Sequence, residues 1–166
     1  MRLTIISNDK AKLFEKLMGL EKGTLENEEF KGHVFQQKHS LILFTGALNK
    51  TSFVSPSQIG IIFAEWIGER SLKLFPSSIT IFAKYFQNIV LTDYPFFING
   101  RNLPPDSYRW LTYSSESRRV LVMDLQGTPL GIGLKKKVND NEFLLINEIN
   151  IGDFLKKEKK AKRRFR

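Results

Sequence analysis

The most informative part of this sequence for its architecture is Gly127-Thr128-Pro129-Leu130-Gly131-Ile132-Gly133-Leu134-Lys135-Lys136-Lys137. It mixes glycine and proline with apolar residues and then runs directly into three lysines. Glycines allow another backbone to approach closely, and lysines beyond them place point charges where a phosphodiester would sit. The pattern therefore indicates a phosphate-binding surface. The alternative interpretation is a solvated turn between two strands.

Recognisable catalytic and nucleotide-binding motifs are absent from the sequence. Gly131-x-Gly133 lacks the third glycine of a dinucleotide loop and opens no obvious helix. No Gly-x-x-x-x-Gly-Lys-Ser/Thr loop and no Gly-x-Ser-x-Gly elbow occurs. No pair of carboxylates lies in a context that suggests acid–base chemistry. We therefore expect a protein without enzymatic activity.

Lysines and arginines of the second half are the candidate binding residues. Along a strand, alternate side chains face opposite ways, so Lys135 and Lys137 would share one face and Lys136 would not. Three arginines extend this set: Arg101, Arg109 and Arg118. The neighbouring aromatic residues Tyr108, Trp110 and Tyr113 would stack on bases in a single-strand binder, although such residues more often cover a small core.

The second half has short strands at close spacing. Apolar or extended runs predict strands at 89–91, 94–98, 120–123 and 143–146. Turns are predicted at Asn99-Gly100 and at 104–106, and a short helical segment is predicted from Ile151. Many short strands separated by turns are typical of a small β-barrel.

The first half has mixed α and β signals. Ser7-Asn8-Asp9 and the stop at Gly19 predict a helix that ends at Met18. Strands are predicted at 30–36, 39–44 and 71–75, and a second helix is predicted to start at 76–78. Residues 59–67 fit either a strand or a short buried helix. We predict an α+β fold with an N-terminal α/β domain at 1–88, a β domain at 89–155 and a basic tail at 156–166.

The charge and the composition limit the kinds of partner and cofactor that we expect. The chain carries 26 Lys+Arg against 17 Asp+Glu, a formal net charge of +9, and the tail holds eight basic residues and one acidic residue. Such an arm commonly binds polyanions, with a solubilising tail or a nuclear-targeting signal as the alternative. There is no cysteine and there are two histidines, which leaves a poor ligand set for a metal. No apolar run approaches the roughly 20 residues that span a bilayer. We expect no cofactor and no membrane partner.

Three stretches of the second half together resemble a PUA domain, an RNA-binding module that folds as a small pseudo-barrel. They are Phe96-Phe97-Ile98-Asn99-Gly100-Arg101, the strand at 120–123, and Gly127-x-Pro129-Leu130-Gly131-Ile132-Gly133. The ending Ile151-Gly152-Asp153-Phe154-Leu155-Lys156 is similar to that of the Nip-seven (nuclear import protein seven) family. These are ribosome-biogenesis factors with an N-terminal α/β domain and a C-terminal PUA domain.

The resemblance implies a non-enzymatic RNA-binding factor in large-subunit assembly or pre-rRNA processing. It implies that rRNA or pre-rRNA contacts Lys135, Lys136 and Lys137, and that the N-terminal domain docks ribosome-assembly proteins. The location would be the nucleolus or nucleus in a eukaryote and the cytoplasm in an archaeon. Two alternatives are an RNA-modification enzyme, or its RNA-recognising subunit, and a protein-interaction adaptor of assembly complexes.

Overall fold

The computed structural model describes residues 4–43, 60–140 and 142–152. Within these ranges the chain has an α+β fold with two five-stranded sheets and two α-helices. No helix in the described ranges is long and apolar enough to cross a membrane. The predicted basic tail at 156–166 lies outside the described residues, as does the predicted helical segment beyond Gly152.

The first sheet is an antiparallel meander whose strand order follows the chain. Its strands are β1 (Thr4–Ile5), β2 (Val34–Gln37), β3 (Ser40–Leu43), β4 (Ile61–Trp66) and β5 (Leu72–Leu74). The hairpin and the last strand were predicted, but the hairpin's first strand, predicted at 30–36, begins only at Val34 because residues 30–33 form turns. Of the two interpretations of 59–67, the strand is correct.

Two helices cover this sheet. Helix α1 (Asn8–Met18) is confirmed at both ends, because Ser7 precedes it in an extended conformation and Gly19 ends it at φ 77°. That left-handed conformation favours glycine, and the Gly19 N–H donates to the Glu15 carbonyl at 2.9 Å. Helix α2 (Ser77–Phe82) was also predicted, and it continues as a 3-10 turn through Ala83–Tyr85.

Phenylalanine rings form the centre of the first core cluster. Phe14 of α1 and Phe82 of α2 are fully buried, and their ring centroids are 5.4 Å apart. Phe63 of β4 lies 5.2 Å from Phe82, and Phe30 lies 5.1 Å from it. The spacing and the tilted or edge-on geometry are those that aromatic pairs prefer, so helix and sheet are joined through one aromatic centre.

The second sheet has the order β10-β9-β8-β6-β7 and is antiparallel except between β6 and β8. Its strands are β6 (Ile89–Leu91), β7 (Arg109–Thr112), β8 (Arg119–Met123), β9 (Pro129–Lys137) and β10 (Phe143–Asn150). From Pro129 onward, the glycine-rich stretch is therefore a single nine-residue strand, and the alternative of a solvated turn is wrong.

Both faces of the second sheet are covered. Leu121, Ile132 and Ile149 lie opposite one another on β8, β9 and β10 and belong to the first core cluster. On the other face, Val90, Val120, Val122 and Leu145 pack with Phe97 and Leu103 in a second core cluster. The predicted domain division at residue 88 stays a prediction. One sheet lies on each side of this residue, but the first core cluster contains side chains from both sheets.

The predicted extended stretch at 94–98 is wrong, because Pro95 and Phe96 lie in a turn and no residue of this range belongs to a strand. Phe97–Asn99 form a 3-10 turn, and Gly100 follows at φ 89°. The Asn99-Gly100 turn extends back into this segment because the Gly100 N–H donates to the Phe97 carbonyl at 3.0 Å. The turn places the Phe97 side chain, fully buried, in the second core cluster.

Candidate nucleic-acid interface

Strand β9 places the three candidate lysines at its carboxyl end. Lys135, Lys136 and Lys137 pair with Leu145, Leu144 and Phe143 of β10. The Lys135 N–H donates to the Arg118 carbonyl at 2.8 Å, which fixes the other edge of the strand. Because side chains alternate along a strand, Lys135 and Lys137 leave the sheet on the side of the second core cluster and Lys136 on the opposite side.

Lys135 is held by its own protein. Its Nζ donates to the Ser114 carbonyl at 2.6 Å and lies 4.6 Å from the centroid of the Tyr113 ring. The centroid of the Phe143 ring lies 5.7 Å from the same Nζ. Partial burial lowers the pKa of this lysine from its usual value. Lys135 therefore has a carbonyl and two aromatic faces as partners instead of open solvent.

The other two lysines are exposed. Lys137 Nζ lies 2.6 Å from Asp140 Oδ1, but both side chains are open to water, where such pairs contribute little stability. Lys136 has no hydrogen bond or ion pair within the described part of the chain. Both charges are therefore accessible to a polyanion, and Asp140 competes for one of them.

Four aromatic side chains, the aromatic cluster, lie beside Lys135 and contact one another: Tyr108, Trp110, Tyr113 and Phe143. Among these four, only Tyr113 and Phe143 contact the Lys135 ammonium directly. The ring centroids of Trp110 and Tyr113 are 5.0 Å apart at 78°, and those of Trp110 and Phe143 are 6.4 Å apart at 90°. Tyr108 lies 5.6 Å from Trp110, again edge-on. Tyr113 is 52% exposed, whereas the other three are half-buried.

The aromatic cluster also brings together the two edge strands of the second sheet. The Tyr108 hydroxyl, just before β7, donates to the Phe143 carbonyl at the start of β10 at 2.6 Å. Burial, with a smaller contribution from the Glu142 charge, raises the pKa of Tyr108 to about 12. The sheet is therefore curled, and residues from both of its edges meet beside Lys135.

The three predicted arginines are all exposed, but they do not lie together. Arg118 is adjacent to Lys135 through the backbone hydrogen bond described above. The Arg101 guanidinium lies over Phe96, 5.3 Å from the ring centroid, and its carbonyl is near the Asn147 side chain, further along β10. Arg109 precedes Trp110 on β7, so its side chain leaves the sheet on the opposite face. Only Arg118 joins the lysines and the aromatic cluster.

Gly131 serves internal packing. A Cβ at this position would lie 2.3 Å from the Ile149 carbonyl oxygen and 2.8 Å from Cε1 of Phe97. The backbone that approaches closely is thus the chain's own β10, together with a ring of the second core cluster.

Two partners at this surface were missed by the sequence analysis. Phe143 was assigned only to a buried strand, and Ser114 was not singled out. Phe143 could have been found by pairing β9 with β10 as a hairpin, because this pairing places Phe143 opposite Lys137. No local sequence pattern points to Ser114, because its carbonyl accepts a hydrogen bond from Lys135, which is 21 residues away in the chain. Within the described ranges, no group of three or more His, Asp or Glu residues is placed to hold a metal ion.

Comparison with known proteins adds no relative. A scan against models of protein families finds no match, and a search of curated proteins also finds none.

Proposed function

We propose that this chain is a non-enzymatic RNA-binding factor whose binding surface is the end of the second sheet around Lys135. The observation that carries the proposal is the junction of cations and aromatic rings at that place. Phosphates attract lysine and arginine, and bases stack on aromatic faces, so a site that offers both matches the two chemical parts of a nucleotide.

The exposed cations of this surface would supply the electrostatic part of binding. Lys137 and Arg118 are open to solvent and flank the side chain of Lys135, whereas Lys136 is exposed on the opposite side of the strand. Each phosphate contact releases counterions, so the affinity should depend steeply on salt. Arg101 and Arg109 lie apart from this surface and would contact only an RNA that wraps around the sheet.

The biological setting rests on the resemblance of the sequence. The similarity to the PUA domain and to the Nip-seven family supports a role in ribosome biogenesis, with rRNA or pre-rRNA as the ligand. The curled second sheet, with its edges joined by Tyr108 and Phe143, is compatible with a pseudo-barrel. In this proposal the first sheet and its helices dock assembly proteins.

RNA binding by the full chain across a salt series tests the proposal. An Arg118→Gln, Lys137→Gln double variant should lower the slope of log affinity against log salt by about 0.7 for each lost contact to single-stranded RNA. The matched control is Lys22→Gln, Lys31→Gln, which removes the same charge from exposed positions of the first half. Equal slopes for the two double variants would refute the assignment of this surface.

A second control addresses the tail. Lys159→Gln, Lys160→Gln removes the same charge from the segment 156–166. If this variant loses as much of the salt slope as Arg118→Gln, Lys137→Gln does, the folded surface has no special role. If wild-type protein binds no RNA at low salt, the proposed function is wrong.

A further inference from the structure

Tyr113 has the features of a base-stacking platform, an inference that rests on the proposed function and names its ligand more closely. The ring is 52% exposed although it belongs to the aromatic cluster. The Lys135 ammonium lies over it, and the Trp110 ring meets it nearly edge-on at 78°. The hydroxyl has no hydrogen-bond partner among the described residues. Internal packing therefore uses only part of this ring.

The backbone next to Tyr113 is held by hydrogen bonds to both the N–H and the carbonyl of Ser114. The Ser114 N–H donates to Oδ1 of Asn88 at 2.5 Å, and the Ser114 carbonyl accepts from Lys135 Nζ. Asn88 is itself fully buried and donates from Nδ2 to the Ser117 carbonyl at 3.0 Å. A ring held in this way loses little conformational freedom when a ligand stacks on it, which favours binding.

We propose that Tyr113 stacks on an unpaired nucleobase, with Lys135 acting as the positioning residue of the ring. Bases inside a duplex have both faces covered by their neighbours, whereas a base in a loop, bulge or single strand can present a face to an aromatic side chain. The ligand class is therefore RNA with at least one unpaired nucleotide beside a phosphate backbone. Arg118 and Lys137 lie where they would contact the phosphates that flank this base.

Lys135 has a different role in this proposal from the one that the sequence analysis predicted: it positions the Tyr113 ring instead of contacting phosphate. Its ammonium already has a carbonyl at 2.6 Å and two aromatic rings. A cation on one face of an aromatic ring is attracted by the ring's electron density, so it holds Tyr113 in place and adds positive potential near the stacked base. Its removal should disturb stacking more than it disturbs the salt dependence of binding.

The test measures binding of the full chain to two RNAs of equal length. One is a hairpin with 2-aminopurine in its loop, and the other is a blunt duplex. Stacking on Tyr113 should change the 2-aminopurine fluorescence when wild-type protein is added. Tyr113→Leu should remove that change and weaken hairpin binding about tenfold, with duplex binding and the salt slope unaltered. Tyr113→Phe is the matched control, because it keeps the ring and should bind as wild type does.

Lys135 variants separate positioning from phosphate contact. Lys135→Met should reduce the fluorescence change and leave the salt slope unaltered, and Lys135→Arg should restore the fluorescence change. A fall of about 0.7 in the slope for Lys135→Met would instead make this lysine a phosphate contact and overturn its assigned role.

Failure of this inference can be distinguished from failure of the proposed function. If wild-type protein binds both RNAs while the fluorescence stays constant and Tyr113→Leu binds normally, the stacking proposal is wrong and RNA binding stands. If wild-type protein binds neither RNA, both proposals are wrong.

Discussion

Arg119 and Glu148 form a two-pronged ion pair in which Nε lies 2.7 Å from Oε2 and Nη2 lies 2.5 Å from Oε1. The same guanidinium donates through Nη1 to the carbonyl of Leu17, in the last turn of α1. One side chain therefore connects β8, β10 and the first helix. Both partners are largely shielded from water, with side-chain exposures of 11% and 20%.

Removing this guanidinium should destabilise the fold. Arg119→Ala leaves a shielded carboxylate and a helix-end carbonyl without their donor, and we expect the free energy of unfolding to fall by about 3 kcal/mol. Urea denaturation measures the change. The control is Lys73→Ala, which breaks the more exposed pair with Glu65 at 3.4 Å and should cost less than about 1 kcal/mol. Similar losses for the two variants would contradict this assignment.

The two glycines of β9 should differ in their tolerance of a methyl group. At Gly131 the added Cβ meets backbone and a buried ring within 3 Å, whereas at Gly133 the nearest atom is Cβ of Leu145 at 3.3 Å. We expect Gly131→Ala to cost about 3 kcal/mol, as overpacking does, and Gly133→Ala to cost clearly less. Thermal and urea unfolding of the two variants provide the comparison. Equal stability of both would mean that β10 does not approach β9 as described.

Tyr108 should make stability depend on alkaline pH. Its pKa is about 12 in the folded chain against an ordinary value of 10.0, so the unfolded chain releases this proton first. The stabilising contribution is complete below the ordinary value and is lost as pH rises through the folded one. Between these two values, the free energy of unfolding should fall more steeply with pH for wild type than for Tyr108→Phe. Parallel curves would show that the hydroxyl is not shielded.

Asp140 should weaken RNA binding by pairing with Lys137. Asp140→Asn frees an exposed ammonium and removes a nearby negative charge, so affinity for a hairpin RNA should rise by up to about fivefold at low salt, the range expected for an exposed pair. The gain should shrink as salt is added. Asp106→Asn removes an exposed charge elsewhere and should change affinity less. A larger gain for Asp106→Asn would argue against a role for Lys137.

Elements with strong local signals could be predicted from the sequence. Helix α1 has a start at Ser7 and a stop at Gly19, and β6 and β8 are short apolar runs rich in branched side chains. The continuity of β9 could not be predicted, because its glycine and proline are ordinarily breakers. Glycine fits at 131 because the partner strand and the Phe97 ring leave no room for a Cβ. That requirement is visible only in three dimensions.

The candidate site, too, could be predicted only in part from the sequence. The lysines could be found because they are consecutive and follow an apolar run. The side-chain environment of Lys135 could not, since Ser114, Tyr113 and Phe143 reach it through the curl of the sheet. From the sequence, Lys136 could be separated from Lys135 and Lys137 by face, but all three were expected to be free charges. The structure gives Lys135 internal partners and leaves Lys136 and Lys137 exposed.

The shared first core cluster limits how this chain could be recombined in evolution. Leu121, Ile132 and Ile149 of the second sheet are covered by the first half, and the Asn88 side chain and carbonyl bond to residues between 114 and 121. A segment transplanted from residue 89 onward would expose those three apolar side chains to water and lose the anchor beside Tyr113. The second sheet is therefore not an interchangeable module: another protein could adopt it only by supplying a substitute cover, and the stacking ring would depend on that cover.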